Sequence, residues 1–180
     1  GADNAFIRSR EQLLRNGFAP KHLRRMLKGG EIRDWGISNG AWTWYPYQPQ
    51  TLAAADPTSR EWKRDLEVVS PWRTFLEDRS TFQGNMQDAG LAWYTFMQHT
   101  PSAYATPLSI AFAFMASHNH FVLDRGGKVF KQTAPVIKLP AEATEEDHFW
   151  LLGILNSSTT CFWLKQVCQA KGGISSGKKM

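Results

Sequence analysis

Between residues 116 and 167 the chain changes its period, and that change constrains the fold more than any other feature. The stretch opens ASHNHFVLDRGGKVFKQTAPVIKLP and closes, after an acidic spacer, with LLGILNSSTTCFWLKQV. A strand over 120–123 faces a strand over 128–130 across Asp124-Arg125-Gly126-Gly127. The glycines supply the positive φ that a tight hairpin needs. A further strand follows over 135–139 and stops at Pro140. Thr144 with Asp147 approximates a capping box, and Glu145 and Glu146 stand in the first turn, where the helix dipole favours them. That helix ends near Asn156, and Ser157 or Ser158 caps a last helix running to about Ala170. Strand period therefore gives way to helix period within one stretch.

The rest of the chain completes an α+β expectation: a small mixed or antiparallel sheet with a basic hairpin, flanked by helices. Asp3 or Asn4 can cap a helix through Arg15, and Pro20 opens a second containing Leu23, Met26 and Leu27. These make a helical N-terminal part, to set beside the two C-terminal helices. AWTWYPY reads as a short strand and 48–59, with Pro49 and Pro57, as a loop. Most of 61–97 reads as helical, broken near Ser70-Pro71 and near Gly84. Ile110, Phe112 and Phe114 alternate as in a strand. The expected division is a basic helical lead-in over 1–30, a main domain over 31–170 and a flexible tail over 171–180.

Charge and side-chain chemistry narrow the function. With 180 residues, 42% of them apolar, the chain can bury a real core. Residues 1–33 hold eight basic and three acidic residues, which accounts for the whole net charge of +5. A basic surface of this kind attracts phosphate backbones, acidic lipid or an acidic protein. Eight Trp and eleven Phe serve core packing in the plain reading, and base stacking by one or two of them in the sharper one. No phosphate-cradling glycine loop and no nucleophile elbow occurs. His118 and His120, with Asp124 nearby, could grip a metal from one strand face, but a third ligand is lacking, so no metal is expected. Cys161 and Cys168 lie seven apart on one helix, about 10 Å between Cα atoms, too far for a disulfide. Two unpaired cysteines suit a reducing cytoplasm. The apolar run 108–116 is too short to span a bilayer, so no membrane partner is expected.

Arg125, Lys128, Lys131 and Lys138 accumulate over fifteen residues against Asp124. Such a turn can enter a DNA groove, where Arg or Lys reads guanine edges. It is equally compatible with solvated charges on an exposed loop.

The strings quoted from 117–140 and 151–167 resemble the C-terminal portion of PglX-like adenine-specific DNA methyltransferases of BREX phage-defence systems. Those enzymes are relatives of fused restriction–methylation enzymes with a Taq-type specificity domain. KGGEIRDW over 28–35, WRTFLEDRSTF over 72–82 and LAWYTF over 91–96 are similar to the same family, and the likeness covers most of 20–170. The family's Asn- or Asp-Pro-Pro-Tyr methyl-transfer motif is missing, since the chain has no Pro-Pro pair, and its glycine-rich S-adenosylmethionine loop is missing too. The resemblance thus implies an excised C-terminal segment that recognises double-stranded DNA. It would be inactive alone and hold no cofactor. S-adenosylmethionine and the catalytic methyltransferase domain would belong to the parent chain, a cytoplasmic site-specific adenine DNA methyltransferase.

On this resemblance the DNA-binding residues are Arg125, Lys128 and Lys131, then Arg33 and Arg73. Asn119 and Gln132 are candidates for bidentate pairing with adenine. Arg33 and Arg73 have the competing role of ion pairing inside the domain, with Asp34 or Glu77. Variable readout is expected in loops such as 48–59 or 83–89, with 116–140 partly scaffold. The alternative is an interaction domain that docks another defence component. An independent nuclease lacks clustered acids and lysine at metal spacing. Membrane docking of the basic N-terminal helices lacks apolar positions.

Overall fold

Ser9 stops the first helix early. In the computed structural model, which describes residues 3–33, 35–38 and 40–168, Ser9 Oγ accepts from Gln12 N–H at 3.2 Å and Gln12 Oε1 accepts from Ser9 N–H at 3.2 Å. This capping box starts a new helix, so the expected single helix becomes α1 (Asp3–Phe6), β1 (Ile7–Arg8) and α2 (Arg10–Arg15). The second expected helix is also replaced. Pro20–His22 makes one 3₁₀ turn and Leu23–Leu27 continues as strand β2. The sequence L-R-R-M-L suits either state, and β2 is one of the two strands flanked on both sides in its sheet. The remaining strands are β3 (Ile32–Arg33), β4 (Gly36–Ile37), β5 (Trp42–Trp44), β6 (Ser109–Phe112), β7 (Phe121–Asp124), β8 (Lys128–Phe130) and β9 (Val136–Ile137). The remaining helices are α3 (Arg60–Val69), α4 (Arg73–Glu77), α5 (Glu145–Leu155) and α6 (Ser158–Val167). The class is α+β, as expected.

The described residues fall into two units, one within 1–26, 40–107 and 126–129, the other within 27–39, 108–125 and 130–180. The first carries the sheet ordered β1-β5-β2-β8, with β5 antiparallel to β1 and β2 in the registers Ile7↔Thr43 and Arg24↔Thr43. Its core centres on Trp44, fully buried, with Phe6 stacked at 6.0 Å between ring centres and Phe18 at 5.6 Å. Beneath the indole, Asp65 of α3 is wholly buried. Its Oδ1 accepts from Ala19 N–H at 2.8 Å, and its Oδ2 accepts from Trp44 Nε1–H at 3.0 Å and lies 2.5 Å from His22 Nδ1. Such a carboxylate is tolerable in a core because these partners satisfy it.

The expected helix over 61–97 ends at Glu77, after α3, a 3₁₀ turn over Ser70–Trp72, and α4. Beyond it the chain is turns. Thr81 N–H donates to Gly84 O at 2.6 Å, with Gly84 at φ 113°. The Arg79 guanidinium donates to Trp93 O at 2.7 Å and to Thr95 O at 2.8 Å. That side chain takes carbonyls which a helix would have bonded internally.

In the second unit β6 is the middle strand of the order β7-β6-β9, antiparallel to both, in the registers Phe112↔Phe121 and Ala111↔Val136. Ile110, Phe121 and Leu123 pack with Leu152 of α5, whereas Ala111 and Val122 pack with Leu27, Ile32 and Ala134. Alternation of side chains thus buries both faces of one short sheet. The sequence-predicted cap of α5 is present: Thr144 Oγ1 accepts from Asp147 N–H at 3.2 Å, and Asp147 Oδ2 accepts from Thr144 N–H at 2.8 Å. Ser157 caps α6 as expected, its Oγ accepting from Thr160 N–H at 3.1 Å.

The basic hairpin does not form. β7 pairs with β6 and β8 joins β2, in different sheets. Gly126 at φ 95° and Gly127 at φ 74° supply the expected backbone, but they redirect the chain instead of closing two strands on each other. The physical reason is competition for edges: β6 matches β7 over four residue pairs, which leaves β8 to complete the other sheet. Among the described residues no helix is long and apolar enough to cross a membrane. The tail at 171–180 lies outside the described residues.

Candidate nucleic-acid interface

Two loops of the second unit are locked together, and three of the sequence-predicted residues lie on or against them. Gly29 N–H donates to Thr133 Oγ1 at 3.2 Å, and a Cβ on Gly29 would stand 2.2 Å from Thr133 O. Only glycine permits that approach. Lys131 N–H donates to Leu27 O at 2.9 Å, and Ala134 N–H to Lys131 O at 2.8 Å. Arg33 Nη1 donates to Gly29 O at 3.0 Å and Ile32 O at 2.6 Å. Lys131 and the exposed Gln132 therefore stand on one of these loops, and Arg33, at the end of β3, folds its guanidinium back onto the other. Asp34, one expected partner of Arg33, lies outside the described residues.

Arg125 is exposed but engaged. Its Nε and Nη2 donate to Glu145 Oε1 at 3.1 and 2.5 Å, and its guanidinium lies 5.7 Å from the Phe149 ring centre. In the first unit, Lys128 Nζ donates to Gly126 O at 3.4 Å. Arg73 pairs with Glu77 at 2.7 Å, the partner expected for it, and covers Trp93 at 5.6 Å. Lys138, the fourth cation of the basic stretch, donates to Leu108 O at 3.0 Å, and burial lowers its pKa. Asn119 serves the frame: its Nδ2 donates to Leu155 O at 2.6 Å and to Ser157 O at 3.1 Å, across the corner joining α5 and α6. Asn156 completes that corner by pairing its side-chain amide with Phe121, donating to its O at 2.9 Å and accepting from its N–H at 3.0 Å. These bonds compete with any adenine edge for Asn119.

One feature of this unit was not singled out in the sequence. A cleft of about 590 Å³ is lined by Trp35, His118, His120, Ser158, Phe162 and Lys165, with Asn119 and Asn156 at its corner. Trp35 sits where β3 turns into β4, 56% exposed and at φ 71°. Positive φ strains a bulky residue by roughly 1–2 kcal/mol. The available signal was the string D-W-G between two short apolar-polar pairs, a turn whose middle residue is an indole instead of a glycine. Among the described residues no three His, Cys, Asp or Glu side chains gather as metal ligands.

A scan against protein-family models finds no match. The chain is similar to a protein of Streptomyces coelicolor described as "Adenine-specific methyltransferase PglX". The two are 42% identical over 177 residues, which is 96% of this chain and 14% of that protein. The chain thus spans about one seventh of the length of the curated relative it matches.

Proposed function

We propose that a chain matching a methyltransferase segment nearly end to end, yet lacking the methyl-transfer motif, serves target recognition. It would be the double-stranded DNA recognition part of an N6-adenine DNA methyltransferase in a phage-defence or restriction–modification system. S-adenosylmethionine and the chemistry belong, on this reading, to a catalytic domain elsewhere in a longer cytoplasmic protein.

The carrying observation is that similarity combined with the absent Pro-Pro motif and glycine-rich loop. The locked loops, one carrying Lys131 and Gln132 and the other with Arg33 folded onto it, support it, because rigid loops hold cations and an amide in register with phosphates and base edges. In the same unit Arg125 can exchange Glu145 for a phosphate; in the first unit, Lys128 and Arg73 are separate candidates for backbone contacts. Gln132 is the better adenine reader of the two amides, since Asn119 is committed to Leu155 and Ser157.

The test is a graft of residues 31–140 from a relative of different specificity into the full-length enzyme, followed by mapping of methylated sites. The methylated sequence changes if this region reads DNA, and an unchanged sequence refutes the assignment. A second reading has its own support. Trp150 and Phe162 are 72% and 69% exposed on α5 and α6, and large apolar surfaces commonly meet protein. Salt-insensitive binding to another defence component, with no duplex binding at low salt, would favour that reading.

A further inference from the structure

We infer that the cleft lined by Trp35 and Phe162 takes up one unstacked nucleobase together with its neighbouring phosphate. This inference rests on the target-recognition reading and deepens it.

Three observations carry it. First, Trp35 holds a conformation that glycine would adopt without strain, while 56% of its surface stays in water. A strained backbone that holds a large, half-exposed ring is the kind of outlier that clusters at ligand sites. Second, the wall suits a nucleotide. Trp35 and Phe162 line it with aromatic rings, His118 and His120 with imidazoles, and Lys165 with an ammonium that suits phosphate. Ser158 brings the first turn of α6, a ten-residue helix, to the same cleft, and among the described residues no carboxylate lines it. An acidic peptide would leave the rings unused. Third, the far wall is pre-set. Asn119 and Asn156 pin the α5–α6 corner to the backbone of β7 and of α5 itself. The cleft's volume of about 590 Å³ falls within the range of small-ligand sites.

A base stacked inside duplex DNA cannot enter such a cleft. Unstacking is least costly where the base is unpaired. The structure therefore assigns to this cleft a preference for duplex carrying one extrahelical base.

The test compares a short perfect duplex with the same duplex bearing one extrahelical fluorescent purine analogue, using the full 180-residue chain. The wild-type chain should bind the second probe more tightly by about 5- to 150-fold, the range for stacking one base on one aromatic ring, and quench the analogue. Trp35→Gly should lose that gain and the quenching while binding the perfect duplex as before. It should also melt no lower than the wild type, because strain is removed. Phe162→Ala and Lys165→Gln each weaken the gain without touching the strained turn. Equal binding of the two probes by the wild-type chain overturns this inference alone. So does a Trp35→Gly chain that keeps the gain, or one that unfolds, since the indole would then serve the fold. Binding of neither probe overturns the inference and the target-recognition reading together.

Discussion

Removing the carboxylate of Asp65 should damage the first unit more than its single position suggests. Asp65 is fully buried and accepts from three groups: Ala19 N–H, Trp44 Nε1–H and His22, the last stacked on Trp62 at 3.6 Å. Asp65→Ala leaves three donors facing a void. Each of the three buried orphans costs roughly 1–3 kcal/mol. These overlap, so the expected loss is about 3–5 kcal/mol, a large share of the roughly 5–15 kcal/mol a domain holds. Asp65→Asn separates shape from bonding. Its oxygen still accepts from Ala19, but its NH₂ then faces Trp44 Nε1–H and His22, so about 2 kcal/mol or more is lost despite equal size. The assay is equilibrium urea unfolding, read by tryptophan emission and far-UV circular dichroism at unchanged slope. If Asp65→Asn costs less than about 1 kcal/mol, the network is not what holds Trp44, and the reasoning fails.

Glu145→Gln should tighten duplex binding and steepen its salt dependence by about one unit of log–log slope, because it releases Arg125 and removes an acid; anisotropy across a salt series reads this. Weaker binding would mean that the pair itself forms the contact surface. Gly29→Ala should destabilise the second unit by roughly 1–3 kcal/mol and reduce duplex affinity, since a methyl group cannot share space with Thr133 O; hydrogen exchange at Lys131 and Ala134 locates the damage. His99 stacks on Tyr47 at 3.9 Å, its Nε2 is buried without a hydrogen-bond partner among the described residues, and burial lowers its pKa. The unfolded chain therefore takes up that proton first as pH falls. The stability held above the unfolded value of about 6.5 is lost as pH drops toward the folded value. The urea midpoint should fall between about pH 7 and about pH 5, and His99→Phe should flatten that slope.

How much was legible depends on how far each signal reaches along the chain. The capping of α5 by Thr144 and Asp147, and of α6 by Ser157, needs only residues within one turn, and both are found where the spacing predicts them. The ion pair of Arg73 with Glu77 was also within reach, as an i,i+4 contact on one helix. L-R-R-M-L forms a strand instead of the expected helix because its own propensities do not decide, and neighbouring strands do. The candidate site was half legible. Cations and amides could be picked by type. Their engagement, Arg125 with Glu145 twenty residues on and Asn119 with the carbonyls of Leu155 and Ser157, is set by non-local packing.

By itself the sequence determined the α+β class, the two capped C-terminal helices, the positive-φ glycines after Arg125 and the lack of a methyl-transfer motif. Each is a statement about neighbours along the chain. Tertiary structure alone decided that β7 and β8 part into different sheets, that Gly29 lets its loop lock onto the loop that carries Lys131, and that Trp35, Phe162 and Lys165 share one cleft. The physical reason is that a strand edge or a loop surface has many partners of similar local fit. Which one it takes depends on the burial and hydrogen bonding of the whole unit.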